Sequence, residues 1–248
     1  MERTKNIFRI NFHQDEMNFI DGMLAIIFYF FYMALIYLFG LLKLKTDLYF
    51  NLSQYFTNKY FYKFLFYIPL TIISIAPIII TVYIRKQSLS TLGFIRTNTL
   101  KSILLGVLFA LPFTSIDIIY GITHNYRLIN MEDALWTFLY FLICIAFVEE
   151  LIFRGFIQTR IRGIIKNKWL SIVIVGLMFA ITHIPFQMLK ANLPLIQFIQ
   201  MDLGHLISTS ILHIYFVYIY TRHNNIIAPT IAHALIDFIP YIFLNNYY

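Results

Sequence analysis

The chain has 248 residues, of which 60% are hydrophobic and 12% are charged, and its mean hydropathy is +0.72. A soluble domain carries about 25% charged residues, so this composition excludes an ordinary cytosolic enzyme, a disordered protein and a nucleic-acid-binding protein. A membrane helix needs about 20 predominantly apolar residues, so seven of them need about 140. We therefore expect residues 1–248 to form one all-α integral membrane domain, with no room for a second, soluble domain.

Seven charge-poor runs follow one another along the chain, and each predicts a membrane-spanning helix. They are Gly22–Leu42, Phe64–Ile84, Ile103–Tyr120, Leu135–Phe156, Trp169–Met188, Leu195–Tyr220 and Ile226–Leu244. The segment Asp47–Tyr62 is aromatic but interrupted by polar residues, so we expect it at the membrane interface, with an eighth helix as the alternative. The predicted fold is a polytopic membrane helix bundle of seven to eight transmembrane helices.

The distribution of Lys and Arg predicts the orientation of these helices. With the N-terminus in the cytoplasm, thirteen of the nineteen fall inside, namely Arg3, Lys5, Arg9, Arg85, Lys86, Arg96, Lys101, Arg154, Arg160, Arg162, Lys166, Lys168 and Arg222. Six fall outside, namely Lys43, Lys45, Lys59, Lys63, Arg127 and Lys190. Positive residues are enriched in cytoplasmic loops, so the count favours a cytoplasmic N-terminus, although the four lysines of the first outer connection run against it. The small size and the lack of organellar signals favour a bacterial plasma membrane.

Ionisable residues are concentrated in the second half of the chain, inside the fourth to seventh predicted spans. Each costs about 2.5–3.5 kcal/mol at the centre of a membrane helix, so each calls for a function or a partner. The fourth span carries Glu149, Glu150 and Arg154; the fifth carries Phe179 and His183; the seventh carries His233 and Asp237. The sixth carries Asp202 and His205, which are three residues apart and are expected to pair locally, with lining of a cavity as the alternative.

Helical spacing gives these residues different expected roles. Glu150 and Arg154 are four residues apart, so they share one face and can neutralise each other. Glu149 points about 100° away and lacks such a partner, which suits a general base. His233 and Asp237 also share a face, so the carboxylate can orient the imidazole. The structural alternatives are a salt-bridge cluster for the glutamates and a helix-packing hydrogen bond for each histidine.

The three motifs together resemble the CPBP family of intramembrane proteases, which includes CAAX proteases and bacteriocin-processing enzymes. The family pattern is Glu-Glu-x-x-x-Arg, Phe-x-x-x-His and His-x-x-x-Asn/Asp on successive membrane helices. The resemblance covers about residues 135–240, which we expect to be the catalytic core. It implies that Glu149 activates a water molecule with help from His183, and that His233 and Asp237 bind that water or stabilise the oxyanion. Glu150 and Arg154, with Phe179, would support the site.

Two features leave the chemistry open. The family often has Asn in the last motif, and an ionised Asp237 cannot donate a hydrogen bond, which favours a histidine-orienting or metal-ligand role or a protonated carboxyl group. Glu149, His183 and His233 are also a sufficient set for one catalytic zinc with an open position for water. The same groups can activate water without a metal, and the chain has no His-Glu-x-x-His signature.

The predicted function is that of an intramembrane endopeptidase, a hydrolase acting on a membrane-bound protein or peptide. We expect a metalloprotease, with a metal-free glutamate mechanism as the alternative. A prenylated CAAX tail, a pheromone or bacteriocin leader and a membrane protein are all compatible substrates. The alternative is a non-catalytic membrane protein on the same scaffold, either a bacteriocin-immunity factor or a small transporter. The lipid bilayer is the other expected partner, and nucleic acid is not expected.

Overall fold

The computed structural model describes residue 10 and residues 17–244, which form eight helices and one short strand pair. The helices are α1 (Phe19–Leu44), α2 (Leu48–Ser53), α3 (Lys59–Ile84), α4 (Thr99–Thr123), α5 (Met131–Gly163), α6 (Lys168–Ala191), α7 (Leu195–His223) and α8 (Ile227–Phe238). The strands are β1 (Arg127–Leu128) and β2 (Phe243–Leu244), which pair antiparallel. The predicted polytopic helix bundle is therefore confirmed.

Six of the eight helices are long and apolar enough to cross a membrane, namely α1 and α3–α7. They contain the first six predicted spans. The segment Asp47–Tyr62 holds only the six-residue helix α2 and the first turn of α3, so the alternative of an eighth spanning helix is wrong. Its interfacial location stays a prediction, as does the orientation of the bundle. Three cations used for that orientation, Arg3, Lys5 and Arg9, lie outside the described residues.

The last predicted span is shorter than the others but still runs the length of the bundle. Helix α8 has 12 residues, about 18 Å, and tightens to a 3₁₀-helix at Ile239–Ile242, where Pro240 supplies no backbone N–H. Before α8, the Ile226 backbone N–H donates to the carbonyl of Gly93, which precedes α4. After α8, strand β2 pairs with β1, which follows α4. Helix α8 therefore joins the same two ends of the bundle as its neighbour α4.

The core of the bundle lies where α5 packs against α1, α3 and α6. Its largest members are fully buried aromatic rings on α5, and α1 meets them with further aromatics. The Phe28 ring contacts Phe156 edge-on at 5.3 Å between centroids, and Phe153 contacts Phe179 of α6 at 4.9 Å. This packing fixes α5 from three sides, and α5 carries the first predicted motif.

Helix α5 is not a regular α-helix along its length. Two π-helical segments, Tyr140–Phe147 and Leu151–Ile157, flank one α-helical turn at Val148–Glu150. A π segment widens the helix and changes the direction of every later side chain, and such segments are frequent at functional sites. The two adjacent glutamates thus stand on the short regular turn between two widened ones.

Helix α6 is interrupted at His183, because Pro185 follows two residues later. Proline has no N–H, so the carbonyl of Ile181 loses its helical partner. The backbone N–H of His183 bonds to Ala180, three residues back, instead of to Phe179, four residues back. The carbonyl of Phe179 is therefore free to accept a hydrogen bond from a side chain.

Candidate active site

Glu150 is at the centre of a buried polar cluster that joins α5 to α8. Its Oε1 atom lies 3.0 Å from a terminal nitrogen of Arg154 and accepts a hydrogen bond from Nδ1 of His233 at 2.8 Å. The side chains of Glu150 and Arg154 are both completely buried. The predicted pairing of Glu150 with Arg154 is confirmed. The contact with His233 was not predicted, because no pattern in the sequence indicates which side chain of α5 faces α8.

Glu149 has quite different surroundings from its neighbour. Its side chain is 17% exposed, and its Oε2 atom has no hydrogen-bond partner among the described residues. The nearest basic atom is Nε2 of His233, at 3.9 Å, which is too long for a hydrogen bond. Sequence spacing predicted that Glu149 has no partner on its own helix, and the structure agrees. A carboxylate in this state has its lone pairs available to a water molecule.

His233 is held on both edges of its ring by carboxylates. Glu150 accepts from Nδ1, so Nδ1 carries a proton and Nε2 is the atom that faces Glu149. Oδ2 of Asp237 lies 3.5 Å from the same Nε2, a looser contact than that of Glu150. The pairing of His233 with Asp237 is thus present, but the closer orienting carboxylate is Glu150.

His183 uses the carbonyl that the break in α6 leaves free. Its Nδ1 lies 2.9 Å from the carbonyl oxygen of Phe179, and a carbonyl only accepts, so Nδ1 donates. The neutral ring therefore has an unprotonated Nε2. Pro185 is thus the cause of both the break in α6 and the orientation of the His183 ring. It is also the sequence signal that could have predicted them.

Two phenylalanine rings enclose the polar cluster. The Phe179 ring lies 4.3 Å from the guanidinium of Arg154 and contacts the ring of His183 edge-on at 5.1 Å. Phe216 of α7 lies 4.9 Å from the same guanidinium and stacks on His233 at 4.8 Å. The predicted supporting position of Phe179 agrees with these contacts. Phe216 was missed, since nothing distinguishes it from the other aromatics of a Phe- and Tyr-rich chain.

All four predicted catalytic residues line a single cavity of about 470 Å³. They come from three helices: Glu149 from α5, His183 from α6, and His233 with Asp237 from α8. If α5 and α6 were straight, regular helices, a rise of 1.5 Å per residue would separate His183 from Glu149 by about 10 Å in depth. The structure brings both residues to the same cavity, because α5 has π segments and α6 is broken at His183.

One further histidine reaches this cavity. The ring of His205 contacts the ring of His183 edge-on at 5.9 Å between centroids. Its Nδ1 lies 3.0 Å from Oδ2 of Asp202 on the same helix. The predicted local pair of Asp202 and His205 is confirmed, and the alternative role of lining the cavity holds for His205 as well.

The predicted metal set does not form a coordination site. Among residue 10 and residues 17–244, no group of three or more His, Cys, Asp or Glu side chains is placed so that it could hold a metal ion. Glu149, His183 and His233 therefore line one cavity without meeting around one point.

Comparison with known proteins identifies the second half of the chain. Residues 131–239 match the family model described as type II CAAX prenyl endopeptidase Rce1-like, which is a little under half of the chain. Comparisons with curated proteins and with solved structures found no match. The matched range contains all three motifs and every residue of the polar cluster. The resemblance inferred from the motifs is therefore confirmed over residues 131–239, which are similar to the Rce1-like type II CAAX prenyl endopeptidases.

Proposed function

We propose that the protein hydrolyses a peptide bond of a membrane-associated protein or peptide, with Glu149 as the base that activates water. One observation carries this assignment, namely the contrast between two adjacent glutamates. Glu150 is fully buried, does not line the cavity and is paired through Oε1 with Arg154 and His233, whereas Glu149 lines the cavity and forms no hydrogen bond with a described residue. A structural salt-bridge cluster would use both carboxylates, but only one is used.

In the proposed reaction a water molecule lies between Glu149 and Nε2 of His183. Glu149 takes a proton from this water, and the oxygen of the water forms a bond to the carbonyl carbon of the substrate. The carbonyl oxygen becomes an oxyanion and accepts a hydrogen bond from Nε2 of His233 in its protonated form. Glu149 then passes the proton to the leaving amine as the C–N bond breaks. The net result is the addition of one water molecule across the peptide bond.

Glu150 and Asp237 act through His233 in this scheme. Glu150 fixes the ring orientation from the Nδ1 edge, and a carboxylate partner also stabilises the imidazolium that donates to the oxyanion. Asp237 is 3.5 Å from Nε2 and limits how far the ring can turn. Asp237 therefore takes a histidine-positioning role, and the oxyanion contact falls to His233.

The test is a comparison of the peptides that host cells release when they carry the wild-type chain or the Glu149→Gln variant at equal abundance. Glutamine keeps the size of the side chain and removes its basicity, so we expect a set of peptides present only with the wild type. Mass spectrometry detects these peptides and gives the position of the cut.

Glu132→Gln is the matched control, because Glu132 is an exposed acidic residue on the same helix that accepts a hydrogen bond from Asn58 and does not line the cavity. This variant should release the wild-type set of peptides. Identical peptide pools from the wild type and Glu149→Gln, with any cellular phenotype retained, would contradict the protease assignment. That outcome would favour the non-catalytic immunity or transport alternative.

A further inference from the structure

Tyr32, in the middle of α1, lines the cavity of the candidate active site, although α1 precedes the matched range 131–239. Its ring is held by Phe28 on its own helix, at 6.2 Å between centroids, and by Phe153 of α5, which it contacts edge-on at 6.4 Å. Phe153 follows Glu149 by four residues, which is about one helical turn. The side chain of Tyr32 is only 5% exposed, so packing in the core fixes the position of the ring.

The hydroxyl of Tyr32 takes no part in holding the fold together. It forms no hydrogen bond with any group that the structure describes, and its oxygen is not sealed inside the protein. Because the residue lines the cavity, the hydroxyl is accessible from there. Tyr29, one turn earlier on α1, is different: its hydroxyl donates to the carbonyl of Met178 at 3.2 Å, and the residue does not line the cavity. Of these two tyrosines, Tyr32 is the one that offers a donor to a bound molecule.

The packing of α1 on α6 brings Tyr32 to the level of His183. The two helices run in the same direction, since Tyr29 contacts Met178 and Gly40, further along α1, packs against the last two turns of α6. Tyr32 lies three residues after Tyr29, about 4.5 Å along the axis, and so falls between these two contacts, where His183 also lies. The hydroxyl is near enough to Glu149 for the charge of the carboxylate to act on it. Tyr32 thus reaches the part of the cavity where the reaction is proposed to occur.

The catalytic groups already assigned supply one hydrogen-bond donor for the oxyanion. Glu149 and an ionised Asp237 only accept hydrogen bonds. The Nδ1 proton of His183 goes to a backbone carbonyl, and the Nδ1 proton of His233 goes to Glu150, so Nε2 of His233 is left as the donor. Enzymes stabilise a developing oxyanion with preorganised donors, and each one removed costs a large part of the rate. A second donor beside Glu149 therefore has a defined task.

We propose that Tyr32 is a further catalytic residue, whose hydroxyl donates the second hydrogen bond to the oxyanion that forms when water attacks the substrate. The inference rests on the proposed function. Tyr32 keeps its proton and forms no covalent bond, so the proton balance of the reaction is unchanged. A donor that meets the oxyanion acts in the transition state more than in the bound substrate, so its loss lowers kcat and leaves KM nearly constant.

The test uses the full chain in detergent and a synthetic fluorogenic peptide that spans the cut found by mass spectrometry. Tyr32→Phe removes one hydroxyl and keeps the ring that packs against Phe28 and Phe153. We expect this variant to lower kcat by about 100-fold, the usual effect of losing one oxyanion donor. KM should change by less than about threefold, because the bound substrate carries no oxyanion.

Tyr29→Phe is the matched control, because it makes the same substitution one turn earlier on the same helix and away from the cavity. The carbonyl of Met178 still accepts from the hydroxyl of Thr182, so the control leaves no backbone group unpaired. This variant should keep the wild-type kcat. A second measurement uses the same peptide with a phosphinate in place of the bond that is cut, since its tetrahedral, charged group resembles the oxyanion. Tyr32→Phe should weaken binding of the phosphinate but not binding of the uncut peptide, the latter measured with Glu149→Gln added.

A wild-type kcat in Tyr32→Phe would overturn the proposal, and so would a rise in KM alone, which would make Tyr32 a contact of the bound substrate. Equal losses of kcat in the Tyr29 and Tyr32 variants, or loss of binding of both peptides, would assign Tyr32 to the packing of α1 and also contradict it. These outcomes leave the proposed function intact, because the wild type still cleaves the peptide. A wild type that releases no peptides in cells would refute the proposed function itself, and the role of Tyr32 with it.

Discussion

The guanidinium of Arg154 is buried, which is costly for a charged group unless a partner balances its charge. It is completely inaccessible, and the charge that balances it comes from Glu150, one helical turn earlier. Phe179 and Phe216 add two ring faces at 4.3 and 4.9 Å. Removal of one partner from such a buried pair leaves an uncompensated charge, which costs about 3–5 kcal/mol. Glu150 and Arg154 should therefore behave as one unit.

A double-mutant cycle measures the coupling between Glu150 and Arg154. We expect Glu150→Gln and Arg154→Leu to lower the free energy of unfolding by about 3–5 kcal/mol each. The double variant should lose clearly less than the sum, because it buries no unpaired charge. The lost ring contacts of Arg154 occur in the single and the double variant alike, so they cancel in the cycle. Thermal unfolding in detergent measures the effect, and additive losses would show that the two side chains do not depend on each other.

The sequence alone predicts the residues of the candidate site but only some of the contacts between them. Spacing along one helix separates Glu149 from Glu150, and it correctly pairs Glu150 with Arg154. The hydrogen bond from His233 to Glu150 joins residues 83 positions apart. Local spacing carries no information on such a pair, and a family motif states only that the residues occur together.

At the scale of elements, the second π segment of α5 packs directly against the backbone of the segment before α4. Gly155 lies in this segment, and a Cβ atom added there would be 2.7 Å from the carbonyl oxygen of Leu92. Leu92 belongs to the 3₁₀-helix Leu89–Leu92, which precedes α4. The contact is with backbone, so it cannot be relieved by rotation of a side chain.

We expect Gly155→Ala to lower the free energy of unfolding by about 1–3 kcal/mol, the usual cost of overpacking. Gly204 is the matched control, because it is also a helical glycine but has nothing within 4 Å of the added Cβ. Gly204→Ala should be neutral or stabilising by up to about 1 kcal/mol. Thermal unfolding of both variants in detergent measures the difference. A stable Gly155→Ala variant would contradict the close approach of α5 to Leu92.

The elements themselves are largely predictable, and their irregularities are not. Runs of about 20 apolar residues are needed to cross a bilayer, so the six long helices follow from composition. The π segments of α5 consist of the same apolar residues as a regular helix, so no pattern marks them. The sequence predicted one continuous span at Trp169–Met188 and missed the break in α6, for which Pro185 is the signal. The effect of the break on His183 depends on a side chain that captures the released carbonyl.

At the scale of the whole molecule, the orientation of the bundle is open to a direct test. Single cysteines are introduced into a Cys144→Ala chain at Gln54, between α1 and α3, and at Thr97, between α3 and α4; both positions are exposed. With a cytoplasmic N-terminus, a membrane-impermeant maleimide should label Gln54→Cys in intact cells. It should label Thr97→Cys only after permeabilisation. The reverse pattern would show that the four lysines of the first connection are cytoplasmic.

Helix α8 contributes His233 and Asp237, and it follows every other helix of the bundle in the sequence. During synthesis the ribosome therefore completes α1–α7 before this half of the site exists. Under the proposed function, the growing chain cannot hydrolyse peptides while it is being inserted. Activity begins only when α8 reaches its contacts with Gly93 and β1 and completes the cavity wall with His233 and Asp237.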